Sequence, residues 1–469
     1  MEFLIASLVI KLVLLAIDAQ PRFFLGDSES YLATKLGGYI PCDRSWVYGL
    51  IALPLIRMGH GLDPLLWLQM FVGACVGASV GAFATLRLGV SHRVAWILVF
   101  AMSVEPLSLY YERSVLTETI GLALFWGSTI LLVELAHLAS LAYAMALAVV
   151  VVLAVSLRTA FLPHALLVMV ACAWLALRST GRWRETGVYA LAAVLVFCGL
   201  QGYAVLTGAL VGAAPATNPR AGAFLVGSFA PILTPTDFDG LGLRDPTTIL
   251  SAAQAHQRWR RDSQMYADDG IFSVIEREVG DWRTASGITR TAARRAVLRN
   301  PVGVAHLAWA TALEYLNERL YRRQFKLDAG LLRPLPESMI RLLEGITKRP
   351  FDPAPAQAPS FISWWLKTNL WAGPVLFVAA WALPLMLFPW AGRIAFQTAL
   401  SLRIICLVSL CYVATVVLFS ACMVPRYLLP VVPCVVVLSA GGMTSAWRVL
   451  SGRHLAGVAT SASGDVTRR

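Results

Sequence analysis

Four short stretches of a very apolar chain carry an arginine beside acidic residues or prolines: CDRSW with Arg44, YYERSVLTE with Arg113 and Glu118, SLRTAFLP with Arg158, and MVPRYLLP with Arg426 and Tyr427. A fifth stretch, GDSESYLATKLGG, adds Asp27, Glu29 and Lys35. Guanidinium forks bind phosphate well, and a carboxylate can take the proton of an attacking hydroxyl. Together they suit a transfer in which a base faces the acceptor and positive charge receives a departing phosphate.

Such groups need elements to carry them to one place. The chain has 469 residues, of which 58% are hydrophobic and 14% charged, with mean hydropathy +0.67. That is too apolar for a wetted surface, and it predicts an integral membrane protein. Ten spans are expected, near 3–17, 64–86, 94–110, 119–135, 141–155, 162–177, 187–206, 370–388, 401–421 and 427–446. A run at 46–56 is too short to cross and is read as lying along the surface. With it on the surface, Arg87, Arg93, Arg178, Arg182, Arg184, Arg393, Arg448, Arg453, Arg468 and Arg469 share the inner side, which satisfies the positive-inside rule. The same bias accounts for the net charge of +12 without invoking nucleic acid. The first run has no basic residue ahead of it and holds Lys11 in its middle, so it reads as a retained span.

The expected organisation is a membrane module at 1–206 with a first outer loop at 18–63, an extracytoplasmic, mainly helical domain at 207–364, membrane helices at 365–447, and a cytoplasmic tail at 448–469. Both termini are then cytoplasmic, and the arginine-bearing loops face outward, at the depth of lipid headgroups. A lipid-linked phosphate is a fitting partner there. The first outer loop should hold two short helices, one of about three turns from Asp27 to Gly37 and Gly38. In the polar domain, Asn300 and Pro301 should start a helix, 230–248 should be turns, and the run from His256 to Gly270 should be a solvated surface. Trp364, Trp365 and Trp371 suit an interfacial belt. None of the eight cysteines falls in the polar domain; Cys42 and Cys422 could face each other on the outer side, with two free thiols the plainer reading.

In arrangement and motifs the chain resembles the GT-C superfamily of multi-span glycosyltransferases that use polyprenyl-phosphate sugars, including the aminoarabinose and protein mannosyl transferases. The resemblance rests on GDSESYL, ERSVLTE, SLRTAFLP and VPRYLLPVVP. CDRSWVYGLIALP departs from it, since many relatives have a proline pair there. It implies an all-α polytopic fold in the inner membrane and inverting transfer by direct displacement to an extracytoplasmic glycan, lipid or protein hydroxyl. On that reading Asp27 is the base and Glu118 a second acidic contact. Arg158, Arg426 and Tyr427 would hold the phosphate, with Arg44, Lys35 and Arg113 as further contacts. No cofactor is required; a divalent metal is left open, with Glu29 a weak ligand.

Plainer roles stand beside these. Asp27 could cap the helix that follows, and Glu29 could simply favour that helix's dipole. Glu112 and Arg113 could pair with each other, Arg158 and Arg426 could snorkel to ordinary lipids, and Lys11 could find Glu105. A transporter or lipid-linked-sugar flippase also needs many spans, though paired halves are not visible in the sequence. A non-catalytic scaffold is the third class.

Overall fold

A computed structural model describes residues 1–24, 26–35, 38–59, 61–179, 182–254, 261–328, 334–354, 360–390 and 396–450. Arg393, Gly37 and the tail after 450 lie outside these residues, as does 255–260 within the basic run. The described residues form helices and connecting turns, with a single isolated bridge between Arg22 and Ser114.

The first half contains α1 (Glu2–Ile17), α2 (Asp27–Ala33), α3 (Val47–Gly59), α4 (Asp63–Leu88), α5 (His92–Val104), α6 (Pro106–Glu112), α7 (Glu118–His137), α8 (Leu141–Leu157), α9 (Leu162–Arg178) and α10 (Trp183–Val211). The polar segment forms α11 (Ala221–Phe229), α12 (Pro246–Gln254), α13 (Ser263–Tyr266), α14 (Ile271–Val279), α15 (Trp282–Arg299), α16 (Pro301–Leu316), α17 (Glu318–Asp328), α18 (Glu337–Thr347) and α19 (Phe361–Thr368). α20 (Ala372–Trp390), α21 (Phe396–Phe419) and α22 (Val432–Leu450) follow.

Among the described residues, seven helical stretches are long and apolar enough to cross a bilayer: 63–88, 118–137, 159–178, 183–211, 372–389, 398–419 and 425–444. The bent pair α5–α6 makes eight if counted as one span. This is the architecture of an α-helical polytopic membrane protein. α1 and α8 also lie where spans were expected, but at 16 and 17 residues they fall short of that length. Seven or eight of the ten expected spans are therefore supported.

Local chemistry sets several boundaries. Gly89, with φ of 61°, closes α4 in the left-handed conformation, and Ser91 caps α5 by accepting from Val94 N. The span expected over 94–110 breaks instead. Pro106 cannot donate to the helical ladder, and Glu105 caps the new helix by accepting from the Leu107 and Ser108 amides, with a bend of 49°. The Val104 carbonyl takes the Trp365 indole N–H at 2.9 Å, so Trp365 anchors α19 while Trp364 and Trp371 remain exposed.

The polar segment packs in two ways. Residues of 223–296 close around their own core, including Val226, Phe238, Phe272, Ile275 and Ala292. By contrast Tyr315, Tyr321, Phe325, Leu343 and Leu366 join the core of the membrane helices. Asn300 caps α16 as expected by accepting from Gly303 N, but the helix ends at Leu316 and restarts as α17. In the basic run, Arg261 is buried rather than solvated, donating to the Ser228 carbonyl and the Thr311 hydroxyl. All eight cysteines are free thiols, Cys42 and Cys422 among them.

Candidate functional site: an ion cluster at one end of the bundle

The first loop is tied to the turn between α6 and α7. Arg22 N donates to the Arg113 carbonyl at 2.7 Å, Val115 N returns to the Arg22 carbonyl at 2.9 Å, and Ser28 Oγ donates to the Val115 carbonyl at 2.8 Å. Gly26 then turns with φ of 88°, a conformation that strains any residue with a Cβ, and α2 begins at Asp27. α2 has seven residues, not the three turns expected. Thr34 leaves the helix where α3 crosses closely: a Cβ on Gly49 would lie 2.6 Å from Thr34 Cβ and 2.7 Å from the Tyr31 carbonyl.

Asp27 does not cap α2; its carboxylate faces guanidinium groups instead. Oδ2 accepts from Arg426 Nη1 at 2.8 Å, and Oδ1 pairs with Arg44 Nη1. Arg44 also pairs with Asp43 at 2.9 Å. Glu118, in the first turn of α7, lies 3.3 Å from Arg158 Nη1 and 3.6 Å from Arg426 Nε. Arg158 follows the last residue of α8 in an extended conformation, its guanidinium 4.8 Å from the centre of the Tyr427 ring. Arg426 stacks on Phe24 at 4.0 Å and lies 5.8 Å from the same Tyr427 ring. It sits in a 3₁₀ turn, Pro425–Val431, whose approach is fixed by α16: Glu314 accepts from Met423 N at 3.0 Å, and Tyr315 donates to the Val424 carbonyl at 3.1 Å.

Three guanidinium groups (Arg44, Arg158 and Arg426) thus face three carboxylates (Asp27, Asp43 and Glu118), and their formal charges cancel. The Asp27 side chain is 19% exposed, so the cluster is sheltered yet reachable. Burial pushes the Asp27 carboxyl up, but Arg426 and Arg44 outweigh it and hold it below its ordinary value. Burial likewise opposes the Arg44 charge, and Asp27 with Asp43 more than restores it. Arg158 Nη1 makes its ion pair without a hydrogen bond, which leaves a buried donor to be used.

Asp27 and Glu118 reach the same guanidinium, that of Arg426. Between them in the chain lie α4 and the bent α5–α6 pair, both long and apolar enough to cross a bilayer, whereas α3, with 13 residues and Pro54 inside it, falls short of that length. α7 and α8 form the next antiparallel hairpin. At the far end of α4 and α7, Arg87 pairs with Glu134.

Lys35 is exposed and, among the described residues, its side chain enters no ion pair. Arg113 is buried elsewhere: Nε donates to the Asp18 carbonyl at 2.9 Å, and Nη1 is 3.8 Å from Glu112. Lys11 pairs with Glu112 at 2.5 Å, not with Glu105, whose carboxylate is occupied as a cap. Glu29 joins no metal-binding group; among the described residues no three His, Cys, Asp or Glu side chains converge that way. Sequence reasoning missed four neighbours. Asp43 directly precedes Arg44 and could have been read as its partner, but nothing local marks Phe24, Tyr31 or Tyr266. Tyr266, a residue 58% exposed, lies in the electrostatic reach of Asp27, Arg44 and Tyr427.

Comparison with protein-family models, curated proteins and solved structures finds no match to this chain. The site therefore stands on its own geometry. A cavity of about 800 Å³ is at the other end of the bundle, so the ion cluster is the candidate by its chemistry and not by enclosed volume.

Proposed function

We propose that the protein is a membrane glycosyltransferase of GT-C type, moving a sugar from a polyprenyl-phosphate donor to an acceptor hydroxyl on the extracytoplasmic side. The observation that carries this reading is the convergence of Asp27 and Glu118 with Arg44, Arg158 and Arg426 at one end of the bundle. The basic loops at the opposite end favour an outward-facing cluster.

In the resting site the carboxylates occupy the arginines. A donor phosphodiester entering beside Tyr427 would draw Arg158 and Arg426 onto its oxygens, which frees Asp27 from one of its two cationic partners. Asp27 then accepts the proton of the acceptor hydroxyl as that oxygen bonds to the anomeric carbon. The bond from that carbon to the phosphate oxygen breaks, and its electron pair leaves on polyprenyl phosphate, where the guanidinium groups balance it. Displacement from the opposite face inverts the anomeric centre. Glu118 keeps Arg158 and Arg426 aligned between turnovers. Neutrality of the empty cluster supports this exchange, since each arginine can trade one anion for another.

The test is transfer of labelled sugar by the purified full-length protein in lipid nanodiscs, supplied with polyprenyl-phosphate sugars. Arg158→Gln should lower donor use by about 10²- to 10³-fold, as loss of a transition-state charge contact does. No transfer by the wild-type chain from any polyprenyl-phosphate sugar would remove the reading.

A further inference from the structure

We infer that the cavity at the opposite end of the bundle is a binding site for an anionic phospholipid. It has a volume of about 800 Å³ and lies between the ends of α7 and α9, the start of α10, the end of α20 and the start of α21. Its walls are mostly apolar, with Trp174, Tyr189, Phe388 and Leu407 among them, and its mouth carries Arg178, Arg182 and Arg403.

The arginines differ in what they have to offer. Arg182 already pairs with Glu185 at 3.3 Å. Arg178 lies over the Trp174 ring at 4.4 Å, which orients its guanidinium without neutralising it. Among the described residues neither Arg178 nor Arg403 has an acidic partner, and both are exposed. Three arginines against Glu185 leave the mouth at +2. The frame is held from both sides: Ser179 and Thr186 hydroxyls bond at 2.8 Å across the α9–α10 turn, and His137 bonds Ser401 at 2.9 Å between α7 and α21.

A free phosphate would use the guanidinium groups and leave the apolar walls wet. A phospholipid uses both, with its phosphate at Arg178 and Arg403 and an acyl chain along Trp174, Phe388 and Leu407. Basic pockets between spanning helices hold anionic headgroups by this combination. An anionic headgroup is favoured over a zwitterionic one because the mouth carries uncompensated positive charge.

The test uses the full-length protein in a neutral detergent, with dioleoyl phosphatidylglycerol, dioleoyl phosphatidylcholine or inorganic phosphate added, and bound lipid read by native mass spectrometry. Phosphatidylglycerol should bind in preference to phosphatidylcholine. Arg178→Gln with Arg403→Gln should weaken it about thirtyfold, the loss expected for two cationic groups at a membrane surface. Arg93→Gln, an exposed arginine at the same end, should change nothing. Should the double variant not fold, each single variant should show a partial loss. Equal binding of the two lipids, undiminished phosphatidylglycerol binding by the variants, or its displacement by inorganic phosphate would each overturn the assignment.

Discussion

On the proposed glycosyltransferase reading, neutralising Asp27 should separate catalysis from binding. Asp27→Asn leaves the side-chain shape intact but takes the cluster from three carboxylates against three guanidinium groups to two against three, a net charge of +1. The donor phosphodiester carries one negative charge, so the variant site complements it where the wild-type site is already balanced. Asp27 accepts two charge-assisted contacts, from Arg44 and Arg426, and such contacts contribute about 1.5–3 kcal/mol each. Recovery of only about 1.4 kcal/mol of this by the donor is a tenfold gain in affinity. Loss of a general base costs about 10²- to 10⁴-fold in rate. The expected result is an enzyme that holds donor about tenfold more tightly and barely transfers it. Binding of radiolabelled donor to nanodisc-embedded protein gives the first quantity, and single-turnover transfer gives the second, with a melting curve to confirm folding. A folded variant that transfers at the wild-type rate, or binds donor no more tightly, would refute the exchange of anions on which the mechanism rests.

Three further outcomes follow from the packing. Lys11→Met strands the Glu112 carboxylate in a dry interior and should destabilise by about 3–5 kcal/mol, whereas Lys11→Met with Glu112→Gln should recover most of it; denaturant melts of the two variants decide. Gly49→Ala puts a methyl group 2.6 Å from Thr34 Cβ and 2.7 Å from the Tyr31 carbonyl, which moves α2 off α3; it should cost about 1–3 kcal/mol in denaturant melts and slow transfer about tenfold to a hundredfold. Asp237→Asn removes the Arg299 pair at 2.8 Å and the box that Thr234 makes with it, and should cost about 2 kcal/mol in the 223–296 core. Burial pushes the Asp237 carboxyl up, but its bonds to Arg299 and Thr234 hold it below the ordinary 3.8. Its stabilisation is therefore complete above that value and fades as the pH falls through the lower folded one, a loss that the variant should not show in acid melts.

The membrane helices were legible because hydropathy acts over whole turns and tolerates errors of a few residues. Arg44, Arg158 and Arg426 were legible for a related reason: in the threading expected from sequence each is a cation on the less basic side, out of place unless something holds it. Asp27, Glu118, Arg158 and Arg426 come from four separate places in the chain, and the positive-inside pattern by which the sequence predicts them on one side is a property of the whole chain. What stayed hidden depends on single turns. Reading 94–110 as one unbroken span concealed the cap made by Glu105, and with it the reason Lys11 pairs with Glu112. Asp27 has the residue type of a helix cap, and only Gly26 turning the chain aims it at Arg44 and Arg426. Lys35 and Arg113 share the charge and the neighbourhood of the cluster in sequence, yet Lys35 extends outward and Arg113 is drawn inward by Asp18.

The Lys11–Glu112 pair sets an order of biogenesis. α1 leaves the ribosome before α6, carrying an ammonium that hydrocarbon rejects, and its counter-ion is translated 101 residues later. Until α6 emerges, α1 is expected to wait at the lipid boundary or inside the insertion machinery and to seat when the two charges meet. A nascent chain arrested before residue 112 should then leave its first segment extractable by alkaline carbonate, while one arrested after α7 should not.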